Sequence, residues 1–201
     1  MLEILNPNLK NKSLVLNRYG TNNTTLALGG AAVTAINALL QELEQEAGTT
    51  RRVFECVPEA QLGWRPHPKS LTLGQLALHV ATIPGVIAEM ATHSPFSAAP
   101  IPRLQPSSVA ELFAALDQSV TEARKILSEL DENELGSTWK LIDGDQVIMA
   151  VPRGALLRTL MLNHWYHHRG QLTVYLRQVG SVVPAIYGPS ADENPFMPKQ
   201  G

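Results

Sequence analysis

Apolar residues recur every three or four positions in four separate stretches of this 201-residue chain, and segments rich in proline, glycine or serine separate them. That period lines apolar side chains along one face of a helix, and such a helix is marginal in water until its face is buried. The first stretch runs from Ala31 to about Val57, with Ile36, Leu39, Leu40, Leu43, Ala47 and Val53 roughly on one face. The second spans about Leu73 to Thr92. It opens on Thr72-x-x-Gln75, the spacing of a capping box, and contains Pro84-Gly85, where a lost backbone donor predicts a kink. The third, Val109 to Leu130, carries Leu112, Leu116, Val120, Ala123 and Leu127 as its stripe. The fourth starts near Pro152 and ends before Gly180. Four amphipathic helices joined by loops of unequal length predict an all-α protein, a four-helix bundle.

The segments between add detail. Residues 138–149 place Asp143-Gly144 between apolar runs, which predicts a small hairpin before the last helix. His93 to Ser108 reads as a long, proline-rich crossover. Residues 1–33, rich in Asn, Thr and Gly, read as a loosely attached extension, leaving 34–193 as the bundle domain and 194–201 as a tail. Pro184, Gly188 and Pro189 stop the last helix from continuing, yet Val182, Val183, Ile186 and Tyr187 are too apolar for a dangling end. The segment is therefore expected to fold back and bury those four side chains, bringing the Tyr187 hydroxyl near the mouth of any site in the bundle.

Charge and cysteine content exclude several functions. A formal charge of −2 offers no basic footprint for nucleic acid. Cys56 is the single cysteine, so neither an internal disulfide nor a cysteine-based zinc cluster can form. No apolar run is read as reaching the roughly 18–20 residues that cross a bilayer. Leu26 to Leu40 has the outline of a weak signal peptide, but Thr34 and Asn37 interrupt it and its period continues as a helix. The expected setting is cytoplasmic.

Three of the six histidines fall within five residues, His164, His167 and His168. On a wheel with His164 at zero, His168 falls at about 40°, among Leu157, Met161, Leu172 and Tyr175 at about 20–80°. Arg169, Thr173 and Arg177 are expected on the opposite, outward side. His167 lies at the edge of the inner face. A lone inward histidine is most simply a hydrogen-bonded core residue. Two of them one turn apart, each needing a partner, also suit a shared metal ion. His79, beside the apolar stripe of the second helix, is the third candidate. His67 and His93 sit in proline-rich loops and rank below it. Three imidazoles would leave coordination positions open, as catalytic sites do.

The run His164-Trp165-Tyr166-His167-His168-Arg169-Gly170-Gln171 resembles the last-helix signature of the DinB/YfiT-like family of metal-dependent enzymes. So do Trp64-Arg65-Pro66-His67-Pro68-Lys69-Ser70, the run Leu73 to Val80 around His79, and Ile186-Tyr187-Gly188-Pro189-Ser190-Ala191-Asp192-Glu193. The resemblance implies an up-down-down-up bundle, often a homodimer, with His79, His164 and His168 as metal ligands. Zinc or nickel suits three imidazoles, and iron is compatible with them. It also implies a small-molecule substrate, with a low-molecular-weight thiol such as bacillithiol or mycothiol as co-substrate in some relatives. Two functions stay open: a metal-dependent hydrolase or thiol S-transferase, and a non-catalytic metal- or ligand-binding, stress-related bundle protein. The second is favoured by the lack of an evident general base, since Asp192 and Glu193 lie in the tail and Glu89 on a polar face.

Overall fold

The computed structural model describes residues 34–97 and 103–197. The expected extension 1–33 lies outside them, as do the last four residues of the tail. The bundle is built from α1 (Ala35–Phe54), α2 (Leu73–Thr92), α3 (Val109–Glu129) and a continuous helical stretch from Arg153 to Gln178. Thr34 caps α1 by accepting the Asn37 N–H at 3.1 Å. Thr72 and Gln75 form the expected capping box on α2, each side chain taking the other residue's backbone N–H at 3.0 Å.

α2 runs unbroken through Pro84 and lies closest to α3. The Gly85 N–H donates to Ser119 Oγ at 2.8 Å, and a Cβ at Gly85 would stand 3.0 Å from the Ser119 backbone. A glycine there lets the two helices meet. By length and composition α2 could cross a membrane, which corrects the sequence expectation that no run reaches that length. In this fold it is the central core helix, with Leu73, Leu76, Val80 and Ile83 buried.

The expected hairpin forms from β2 (Thr138–Asp143) and β3 (Gln146–Pro152). Gly144 takes φ +55° in its two-residue turn, a conformation glycine adopts without steric cost. A two-residue strand, β1 (Phe96–Ser97), adds to β2 in parallel, and a capped single turn, α4 (Glu132–Gly136), precedes the hairpin. Trp139 pins this small sheet to the bundle. It is fully buried, and its indole N–H donates to the Met90 carbonyl at 3.1 Å. Arg153 bonds the Ala91 and Glu134 carbonyls and Ser137 Oγ at 2.8–2.9 Å, tying the end of α2 to the start of the last helix.

That last helix is not α-helical throughout. A four-residue turn, α5 (Arg153–Leu156), leads into a π-helical segment, Leu157–Asn163, and then into α6 (His164–Gln178). A π turn advances the chain by less angle per residue than an α turn, so a wheel drawn across it misplaces one side against the other. Arg169 is the consequence. Expected outside, it is 1% exposed, on a buried stripe with Trp165, Leu172 and Leu176. His164 and His168 are half-buried at the border of that stripe.

After Gly180 the chain folds back as expected, but by a different means. Ala185 is buried and Val183 and Ile186 are half-buried, whereas Val182 and Tyr187 remain 58% and 67% exposed. Hydrogen bonds hold the segment. Arg52 donates to the Ala185 carbonyl at 3.1 Å, Ser181 Oγ to the Cys56 carbonyl at 2.6 Å, and Asp192 accepts from the Val183 N–H and Arg177.

Candidate metal centre

Three elements of sequence deliver three imidazoles to one place. α2 supplies His79 one turn before Ile83. The end of the π segment sets the rotation of His164, and α6 adds His168 one turn later. One ligand nitrogen from each ring lies within 4.8 Å of the others. The Nε2 atoms of His79 and His164 are 3.2 Å apart, and the ring centroids stand 4.4–5.4 Å from one another. Two nitrogens at about 2.0–2.1 Å from a tetrahedral ion are separated by roughly 3.3 Å, so the closest pair already has that spacing. A hydrogen bond between His79 and His164 would satisfy those two nitrogens and leave His168 without a share in it.

The electrostatics favour neutral rings. Burial, followed by the neighbouring His168 and His164, lowers the His79 pKa from 6.5 to about 4. Burial also lowers those of His164 and His168. Neutral imidazole is the form that donates a lone pair. His168 Nδ1–H donates to Gln171 Oε1 at 2.7 Å, which leaves Nε2 free toward the cluster. A partner of this kind on the outer nitrogen fixes the tautomer and orientation of a ligating histidine.

The other histidines stay apart. His167 is exposed, its ring 4.9 Å from that of His168 but outside the group. His67 accepts the Lys69 N–H, and His93 contacts Thr92 Oγ1 and the Glu89 carbonyl. Beside the cluster opens a cavity of about 430 Å³. His79 and His168 form part of its wall, with Leu71, Leu78, Leu104 and Arg103. Among the described residues, no carboxylate lines it.

On the far side of α6 lies a buried polar network that the sequence reading missed. The Arg169 guanidinium pairs with the Glu46 carboxylate, and also donates to the Glu46 carbonyl and Thr50 Oγ1 at 3.1 Å each. The Tyr187 hydroxyl accepts from Arg169 and donates to Glu46 at 2.8 Å. Burial and the hydrogen bond to Glu46 push its pKa up to about 12. The hydroxyl is thus engaged by the Arg169–Glu46 pair, which corrects the expected placement at the mouth of the histidine site. The rings of Tyr166 and Tyr187 each stand 5.4 Å from the guanidinium carbon, within cation–π range. The signal was present in α1: Glu46 and Thr50 share the i, i+3, i+7 stripe of Leu43 and Val53.

The DinB family model matches residues 24–197 of this chain. An uncharacterized protein of Bacillus subtilis, YrdA, is 29% identical over 161 residues, covering 79% of this chain and 91% of that protein. Among solved structures, a DinB-like protein from Bacillus cereus matches with TM-score 0.61 at 26% identity, over 76% of this chain and 97% of the other. YfiT from Bacillus subtilis matches with TM-score 0.55 at 18% identity, over 72% and 87%. A family match over most of the length, carried by this bundle, shows that the chain belongs to the DinB family.

Proposed function

We propose that His79, His164 and His168 bind one divalent ion, zinc or nickel in preference to iron, and that the site serves a metal-dependent hydrolase or thiol-dependent S-transferase. The observation that carries this reading is the convergence of three imidazole nitrogens within 4.8 Å at the wall of a cavity. YfiT, described as a probable metal-dependent hydrolase with an unusual four-helix bundle topology, lends support. Bound there with positions left open, such an ion would supply Lewis acidity and lower the pKa of a water or a substrate thiol. The chain's own residues do the rest. Gln171 holds the proton of His168 on Nδ1, and burial disfavours protonation of all three imidazoles. The leucines of the cavity shield the substrate from water.

The reading takes a small-molecule substrate, with a low-molecular-weight thiol as co-substrate in its transferase form. It involves no nucleic acid or membrane, and it expects a homodimer in the cytoplasm. The test is metal analysis of protein purified without chelator, together with turnover of ester, amide and thiol-transfer substrates. About one ion per chain, lost in His168→Ala together with turnover, is the expected result. Protein that holds no metal, and melts the same with and without chelator, would refute it. A second reading, a non-catalytic metal- or ligand-binding bundle, is favoured by the lack of a carboxylate in the cavity lining among the described residues. Turnover that disappears in His79→Ala would exclude it.

A further inference from the structure

We infer that the cavity beside the histidines takes a small amphipathic acid, its apolar body against the leucines and its carboxylate on Arg103. This deepens the metal-site reading by naming a substrate class, and it rests on that reading for its catalytic meaning but not for binding.

The polar groups of the cavity wall differ in what already engages them. Gln75 and Thr82 both line the cavity, yet each is engaged elsewhere. Gln75 Oε1 accepts the Thr72 N–H, and its Nε2 donates to the Arg103 carbonyl at 3.3 Å. Thr82 Oγ1 donates to the Leu78 and His79 carbonyls at 3.0 and 3.2 Å. What remains is an apolar surface from Leu71, Leu78 and Leu104, two imidazoles, and Arg103, whose exposed side chain stands at the rim. Among the described residues, no carboxylate lies within ion-pair distance of Arg103. Leu104 is 66% exposed at the same rim. A guanidinium with no ion-pair partner among the described residues, beside exposed leucine, is a recognition pattern for a molecule that is apolar along its length and anionic at one end. The planar fork of arginine matches a carboxylate with two parallel hydrogen bonds.

The arrangement is held in place by the frame of the fold. Gln105 Oε1 accepts from Thr72 Oγ1 at 2.7 Å, and its Nε2 donates to the Leu62 carbonyl at 3.2 Å. With the Gln75 contact to the Arg103 carbonyl, two side chains on opposite sides of Leu104 pin the crossover to the start of α2. The capping box therefore terminates a helix and also fixes Arg103 and Leu104 over the cavity. A volume of about 430 Å³ falls in the range of small-ligand sites and has room for a phenylalkyl body.

The experiment is calorimetric titration of the full-length protein, metal-loaded and chelator-treated, with 4-phenylbutyrate, 4-phenylbutanol and 4-phenylbutylamine. The acid should bind about two- to fivefold tighter than the alcohol in both forms of the protein, as one solvent-exposed ion pair provides. Arg103→Gln should remove that preference and keep the alcohol affinity. Arg103→Glu should shift preference to the amine. The side chain is exposed and only its carbonyl holds the crossover, so both variants keep the fold. Equal affinities for the three compounds would overturn the inference. So would an acid preference that survives Arg103→Gln, or one that disappears on chelation, which would put the carboxylate on the metal. Protein found to hold no metal, yet showing an Arg103-dependent preference, would sink the metal-site reading and uphold this one.

Discussion

Replacing Arg169 by Met would strand the Glu46 carboxylate in the bundle. The two side chains are 1% and 4% exposed, and Glu46 would keep one strong partner, the Tyr187 hydroxyl. Removing one member of a buried ion pair costs about 3–5 kcal/mol, because the remaining charge has lost its compensation but not its burial. For a domain of this size each kcal/mol moves the melting temperature by about 2–4 °C, so Arg169→Met should melt roughly 6–20 °C lower. The double variant Arg169→Met with Glu46→Met supplies the control. It replaces both charges by apolar groups of similar volume, and should recover most of the loss. Thermal and urea unfolding followed by circular dichroism reads both. A single variant that loses under about 1 kcal/mol, or a double variant less stable than the single, would refute the view that the stranded charge dominates the cost.

Metal-free protein should lose stability as pH falls from 6.5 toward 4. Folded His79 resists protonation until about pH 4, whereas the unfolded chain takes that proton near 6.5, so the unfolded state binds more protons across this window. Urea midpoints at pH 7 and pH 5 measure the drop, and His79→Phe should reduce it, leaving the part that the lowered His164 and His168 contribute. Deleting residues 181–201 should lower the melting temperature by several degrees, through loss of the Tyr187 and Ala185 contacts, and leave the metal stoichiometry intact; an unchanged melting temperature would mean these contacts contribute nothing. Gly85→Ala should destabilise, by up to about 2 kcal/mol in urea titration: overpacking at Ser119 costs about 1–3 kcal/mol, and the better helix propensity of alanine offsets only about 0.5–1.

Periodicity carried the helices because each buries a long stripe, and turn chemistry carried the hairpin because Asp143-Gly144 needs positive φ at its glycine. The same logic could not reach β1, whose two residues make a strand only by pairing with Leu141 and Ile142. α4 was within reach, since Asp131-x-x-Glu134 has the spacing of a capping box. The wheel brought out the three histidines that meet in space, but gave the wrong environment for two of them. It took His168 as central to the apolar face, and the structure puts it at the border, facing a cavity. The polar stripe of Glu46 and Thr50 was visible as polar residues at core spacing, but its partner Arg169 was hidden by the same wheel.

The π segment accounts for both errors, and for why one helix can serve two purposes. With α geometry throughout, Leu157, Met161, His164, His168, Leu172 and Tyr175 would share one face, and the imidazoles would be enclosed by aliphatic side chains. Seven residues of wider turn rotate α6 relative to what precedes it. Leu157 and Met161 then stay in the core while the core stripe passes to Trp165, Arg169, Leu172 and Leu176. His164 and His168 are turned toward His79, and His168 reaches the cavity. The rotation needs something to hold it, since a π turn is otherwise readily replaced by the α-helix. Arg169, anchored to Glu46 and Thr50 of α1 and overlaid by two tyrosine rings, fixes the angle of α6 directly after His168. The ion pair on one side of the helix and the histidine cluster on the other are thus consequences of one register.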